Sequence, residues 1–335
     1  MLRSALFATL DALGAPALVG AHGPRILLYH GVTKERGEGV FNYRQKFIDT
    51  DAFRAQLVWM KKAFEVLPLA EFLTRQATGT LSAGALAITF DDGYANNYTN
   101  AFPALKELGV PATFFITTDF IEGVPLPVDR IEYAVGVTRC GELTLPWADS
   151  GKRTFVLATR EERIAADLAI RTHMKTLESH GAFLGALEEC AGVHLAQVLA
   201  QSSYRPMTWE HMQEMEASGM TFAPHTRSHP ILSHLPVEYA REEILASREA
   251  LRANLTHPLL DTFAYPNGGA SDYTDETIAL LKELGFAAAL TTEQRTVRRH
   301  NNPHRLPRFT MDGASDIHRA RLAASGAYAR LARLK

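Results

Sequence analysis

Apolar residues in this chain come in short runs that stop abruptly at polar or glycine-containing segments. Ile26-Leu27-Leu28-Tyr29 follows Pro24 and stops at His30-Gly31. Ala85-Leu86-Ala87-Ile88-Thr89-Phe90 stops at Asp91-Asp92-Gly93, and Ala112-Thr113-Phe114-Phe115-Ile116 forms a third run. Runs of this length and composition read as buried strands. Between the second and third, Tyr98, Phe102, Leu105 and Leu108 recur at helical spacing, Gly109 ends the helix and Pro111 keeps it ended. Pro103 fits only in that helix's first turn. Strand, helix, strand in this order implies a right-handed parallel unit.

The rhythm returns downstream. Thr208 caps a helix to Ser218, with Gly219 as its stop, and Met220-Thr221-Phe222-Ala223 is a strand leading directly to His225. Pro236 opens a helix through Leu255, with Ile244, Leu251 and Leu255 on its inner face. Thr262 to Tyr265 is a strand, Thr274 caps a helix ending at Gly285, and Phe286 to Leu290 is a strand. Repeated βα units on a chain of 335 residues give an α/β fold, either a parallel barrel or a doubly wound sheet. The pattern breaks between about residues 125 and 205. There Ile164, Leu168 and Leu177 mark one helix and Ala182 to Leu199 a second, so the segment reads as a mostly helical insertion.

Leu2, Leu6, Leu10 and Leu13 recur at helical spacing, with Asp11 inside what would be a signal peptide's apolar core. Residues 1–23 therefore read as a retained helix of a cytoplasmic protein, with an exported protein the alternative. A central domain follows over 24–310 and a C-terminal helix over 311–335. That helix carries Arg319, Arg321, Arg330, Arg333 and Lys335, a basic face that either meets solvent or lies against an anionic membrane.

Composition narrows the partners. Hydrophobic residues make up 46%, enough for a sizeable core. The net charge of −2 gives no global basic field, so nucleic acid is not an expected partner. Cys140 and Cys190 form no Cys-x-x-Cys pattern.

The candidate chemistry sits where two strands end. Asp91 and Asp92 are adjacent carboxylates that would raise one another's pKa unless a cation sits between them. In parallel α/β folds the C-terminal strand ends face the ligand. His225 and His229 also follow a strand, at a spacing that brings both rings to one point if Thr226 to His229 make one helical turn. Imidazole ligands suit zinc, cobalt or nickel better than magnesium.

Thr89-Phe90-Asp91-Asp92-Gly93-Tyr94 and His225-Thr226-Arg227-Ser228-His229 together resemble the first two motifs of the polysaccharide deacetylases that share the nodulation-factor deacetylase fold. The resemblance runs from about Ile26 to Phe309. It implies a distorted (β/α)7 barrel and a divalent metal, zinc first, with cobalt or nickel as alternatives. It makes Asp92, His225 and His229 the metal ligands and Asp91 the general base. The implied reaction is hydrolysis of an N-acetyl group on a hexosamine glycan or glycolipid.

Two features depart from the family pattern. Its third motif carries an Arg that orients the base, but this chain has Phe263-Ala264-Tyr265-Pro266-Asn267-Gly268, a form that resembles an exopolysaccharide-associated branch. Tyr265, Pro266 and Asn267 are then the expected substrate-binding segment, with the Asn267 N–H at the oxyanion position. Arg308 is the candidate replacement for the missing Arg, with a rim salt bridge as its alternative role. The usual late Leu-x-His acid is also absent. His30, which ends the first strand, is the candidate general acid, and His304 is the other histidine considered.

Two other functions compete. A non-catalytic glycan-binding protein would not need a base beside a metal. A glycoside hydrolase needs carboxyl groups about 5 to 9.5 Å apart across the scissile bond. Asp91 and Asp92 fit that poorly, since strand neighbours point to opposite faces.

Overall fold

The computed structural model describes Thr9, Ala12 and residues 23–35, 37–147, 151–177, 180–313 and 316–327. Of the helix expected over 1–23, the described residues include only Thr9 and Ala12, both helical, and Gly23, which is in a bend. Arg330, Arg333 and Lys335 also lie outside them.

Seven parallel strands build the centre: β1 (Arg25–Tyr29), β2 (Ala85–Phe90), β3 (Thr113–Ile116), β4 (Thr221–Pro224), β5 (Thr262–Ala264), β6 (Ala288–Leu290) and β7 (Phe309–Thr310). β1 lies between β7 and β2, with Leu27 opposite both Phe309 and Ile88. β2 pairs with β3, β3 with β4, and β5 with β6. Two seams are thin. Leu260 N–H donates to the Phe222 carbonyl at 3.3 Å beside β4, and a bridge from Leu290 to Leu306 joins β6 to the segment entering β7. The ring therefore closes as a distorted seven-stranded barrel.

The strands are mostly apolar because they are covered on both sides. Ile26, Ala87, Phe115, Ala223, Ala264 and Leu290 fill the barrel interior as one cluster. The alternate residues Leu27, Ile88, Phe90, Phe114 and Phe222 pack outward in another, together with Phe53, Leu57 and Leu105 from the surrounding helices. Expected helix signals hold: Pro103 occupies the first turn of Phe102–Leu108, and Thr208 and Thr274 cap Trp209–Ala217 and Asp275–Glu283 through their side chains. Two further helices lie between β1 and β2 in the chain beyond those expected: Thr50–Ala63, capped by Asp49, and Leu69–Thr78.

The insertion differs from the expectation. It is not mostly helical at its middle, where Glu142–Trp147 and Gly151–Val156 pair as an antiparallel hairpin. The helix expected from Ala182 to Leu199 is two helices, Gly181–Ala191 and Leu195–Ala200, broken at Gly192. Leu168 faces outward at 51% exposure, while Ile170 and Met174 carry the buried face of Arg160–Met174. Hairpin and helices share a core of their own around Ile131, Leu143, Leu145, Ile170 and Leu187. Cys140 and Cys190 are both free and exposed. No helix among the described residues is long and apolar enough to cross a membrane.

Candidate metal centre and active site

β2 stops at Phe90, and the chain turns across the C-terminal mouth of the barrel. Asp91 N–H still donates to the Tyr29 carbonyl at 3.0 Å, continuing the ladder with β1. Asp92 then takes a φ of 81° and Gly93 one of 105°. A side chain on Gly93 would also crowd Ile121, since its Cβ would stand 3.1 Å away. Because the backbone has left the strand, alternation no longer separates the two carboxylates. Both approach His225 Nε2, Asp92 at 3.7 Å and Asp91 at 3.9 Å.

The histidines are not on a helical turn. Thr226 and His229 both have positive φ, 67° and 63°, so a tight loop brings the rings together at a centroid distance of 5.0 Å. Thr226 Oγ1 accepts from His229 N–H at 3.0 Å, and Glu243 accepts from the Ser228 N–H and hydroxyl at 2.8 Å each. Six described non-glycine residues have positive φ: Asp92, Thr226, His229 and Asn267 at this site, with Asn42 and Gln45 in the segment beside it. Such conformations cost roughly 1–3 kcal/mol each and persist where the surroundings impose them, characteristically at functional sites.

Asp92, His225 and His229 can each offer one ligand atom, all within 4.8 Å of one another. Asp92 Oδ1 lies 3.7 Å from His225 Nε2 and 3.6 Å from His229 Nε2. A tetrahedral zinc site places its ligand atoms about 3.4 Å apart, close to both of these carboxylate-to-imidazole distances. His225 Nδ1 lies 2.7 Å from the Ala264 carbonyl, which fixes the proton there and leaves Nε2 free as a ligand. Burial holds both imidazoles down at about 4, so both rings are neutral, as metal ligation requires. Burial also raises the Asp92 carboxyl, a cost that a cation at its side removes.

Asp91 has a different partner. The buried Arg308 guanidinium donates to both its oxygens, at 2.7 Å each. Arg308 is itself held by the Thr291 carbonyl at 3.0 Å and Thr89 Oγ1 at 3.2 Å. Burial works to raise the Asp91 carboxyl, but the charge and hydrogen bonds of Arg308, with His30 adding to them, bring it below its ordinary range. Arg308 is thus buried against Asp91 and is not on the rim.

A cavity of about 290 Å³ opens over these groups. His30, Asp91, Asp92, His225, His229, Tyr265 and Asn267 all line it. Pro266 is buried between the last two. Tyr265 contributes a wall and not its hydroxyl, which donates to the His304 carbonyl at 3.0 Å. His304 does not belong to the site: it is buried with Nε2 2.8 Å from the Phe286 carbonyl. His30 is on the wall, with Nδ1 3.0 Å from Asp312 Oδ1. Burial alone would lower its pKa, but Asp312, Asp92 and Asp91 lift it to about 9. Asp312 is not among the expected site residues, although Met311-Asp312-Gly313 repeats the pattern of an acid and a glycine after a strand. Nor is Lys46, which lines the cavity in contact with Asp129 and Tyr94.

The family model described as polysaccharide deacetylase matches residues 78–138 and 182–289, passing over most of the insertion. A poly-beta-1,6-N-acetyl-D-glucosamine N-deacetylase of Staphylococcus epidermidis is 37% identical over 70 residues, covering 21% of this chain and 24% of that relative's length. A putative polysaccharide deacetylase of Bacillus subtilis, YxkH, is 21% identical over 84% of this chain and 69% of its own. Among solved structures, the deacetylase PplD of Streptococcus pyogenes, in complex with acetate, aligns over 91% of this chain and 99% of its own with a TM-score of 0.60 at 18% identity. IcaB from Ammonifex degensii aligns over 92% and 98% with a TM-score of 0.57 at 19% identity. These structural likenesses support the barrel fold.

Proposed function

The chain belongs to the polysaccharide deacetylase family, and on that premise we propose that it hydrolyses the N-acetyl group of an N-acetylhexosamine glycan or glycolipid. The observation that carries this reading is the Asp91–Arg308 pair standing beside Asp92, His225 and His229. A binding protein has no need of a carboxylate kept ionised next to three metal-ligand groups. The Staphylococcus epidermidis relative, matched over part of its length, is named for N-deacetylation of a glucosamine polymer, which supports the substrate class.

Asp92, His225 and His229 would hold the divalent cation, with zinc the first choice for a two-imidazole set. When bound, such an ion supplies Lewis acidity toward an amide carbonyl and acidifies water. The remaining work falls to the chain. Asp91 accepts the proton of the attacking water. Arg308 keeps Asp91 ionised and fixes the plane of its carboxylate, so it acts as a positioning residue. Asn267, at φ 58° on the cavity wall, would offer its backbone N–H to the developing oxyanion. His30, oriented by Asp312, donates a proton to the amine nitrogen as the C–N bond breaks. The products are acetate and a free amino sugar.

The test is acetate release from N-acetylglucosamine oligomers by the zinc-loaded chain. The reading requires that a chelator abolish release and that added zinc restore it. Persistence after complete metal removal would reject it.

A further inference from the structure

The catalytic cavity has a wall that the reaction does not use. Arg44, beside Lys46 on the 42–46 segment, and Lys175, which ends the helix Arg160–Met174 of the insertion, both line it. Both side chains are exposed, and neither has a hydrogen-bond or ion-pair partner among the described residues.

Buried structure sets these two cations against one cavity. Arg171, one helical turn before Lys175, donates to Asp167 at 2.7 Å and to Glu132 at 2.9 Å. The Tyr43 hydroxyl, next to Arg44, donates to the same Asp167 at 2.7 Å, and the Asn42 N–H donates to the same Glu132 at 2.6 Å. The segments that carry Arg44 and Lys175 are therefore tied together through shared acids. Long side chains on two sides of a cavity of about 290 Å³ can meet on one group inside it.

The other charges around the cavity are matched. On this wall Asp129 faces Lys46, and Glu132 and Asp167 face Arg171. At the metal centre Asp91 faces Arg308 and Asp312 faces His30, while Asp92 faces the cation site. Taken together these charges cancel when a divalent ion is bound and His30 holds the proton that its role as acid requires. Arg44 and Lys175 are the surplus. A neutral sugar hydroxyl has no use for two full positive charges, whereas anionic oxygens do: guanidinium grips them in a planar fork and ammonium as a point charge.

We propose that the substrate carries an anionic group, a phosphate or a carboxylate, and that Arg44 and Lys175 hold it while the acetamide lies at the metal centre. The proposal rests on the deacetylase reading of this cavity. It narrows the substrate from N-acetylhexosamine glycans in general to acidic or phosphate-linked ones.

Calorimetry on the zinc-loaded full chain carrying Asp91→Asn compares N-acetylglucosamine with its 1-phosphate, its 6-phosphate and N-acetylmuramic acid, which supplies a carboxylate. At low salt at least one acidic sugar should bind about tenfold or more tighter than the neutral one, and the ratio should shrink as salt screens the exposed cations. Arg44→Gln with Lys175→Gln should reduce that ratio about fivefold or more, while Arg44→Lys with Lys175→Arg should keep most of it. Both residues are exposed, so none of these changes threatens the fold. A preference for either phosphate supports the proposal with phosphate as the anion, and a preference for the muramic acid supports it with carboxylate. The proposal is overturned if no acidic sugar outbinds the neutral one. It is also overturned if the preference survives Arg44→Gln with Lys175→Gln, which would place the anion on the zinc ion. Acetate release by the unsubstituted chain reports separately on catalysis. An acidic preference without release would overturn the catalytic reading and leave the anion site standing.

Discussion

Arg308 grips Asp91 through two parallel hydrogen bonds of 2.7 Å, between residues 217 positions apart in the chain. The pair is fully buried and ties the turn after β2 to the segment entering β7. Breaking a buried ion pair from one side leaves an uncompensated charge. Arg308→Met should therefore cost about 3–5 kcal/mol in urea unfolding, and adding Asp91→Leu should recover a large part of it. A loss below about 1 kcal/mol, the range of exposed pairs, would contradict the assigned geometry. Arg308→Lys keeps the charge but loses the fork, so it should reduce kcat more than it reduces stability.

His30 must carry a proton to serve as the acid, so its activity is present below its pKa and lost as pH rises through it. The basic limb of kcat/KM should fall at or below about 9, because a bound cation offsets the part contributed by Asp91 and Asp92. Asp312→Asn removes a raising influence and should move that limb to lower pH. His30→Gln should cost about 10²–10⁴-fold in kcat with metal content unchanged. A pH profile indifferent to Asp312→Asn would assign the limb to another group.

Zinc at about one hundred times its Kd should stabilise the chain by about 2.7 kcal/mol, raising its melting midpoint. Asp92→Ala and His225→Ala should each abolish that rise and the one-to-one metal stoichiometry measured by elemental analysis. Asp91→Asn should preserve both. Equal loss in all three would mean that Asp91 is itself a ligand.

The frame of this site was legible because its residues sit at the ends of apolar runs, and strand ends in parallel folds converge on one mouth. Arg308 was legible from an absence, the Ala264 that stands where the family has its Arg. Other parts were not. His225 and His229 suggested a helical turn by spacing alone, while the loop that joins them depends on positive φ at Thr226 and His229, which side-chain identity does not announce. The hairpin Glu142–Trp147 with Gly151–Val156 went unseen because one strand has only Phe155 buried, leaving little alternation to read. His304 is held out of the site by a contact with the Phe286 carbonyl that its Pro-bounded segment does not announce.

A buried polar network attaches the insertion to the catalytic cavity. Arg171 donates to Glu132 at 2.9 Å and to Asp167 at 2.7 Å. Asn42 N–H and Tyr43 hydroxyl donate to those same acids at 2.6 and 2.7 Å, fastening the 42–46 segment that bears Lys46. Arg171→Met should cost about 3–5 kcal/mol and raise KM more than it lowers kcat. A change in kcat alone would place the network's influence on the chemistry and not on the cavity wall.

The central claim, a metal-supported hydrolysis with Asp91 as the base, is tested most directly by acetate release from Asp91→Asn alongside its metal content. The expected outcome is one zinc per chain, a melting midpoint lowered by loss of the Arg308 ion pair but still raised by zinc, and a rate reduced by at least about 10²-fold. Acetate release at the native rate by the metal-loaded variant would contradict it.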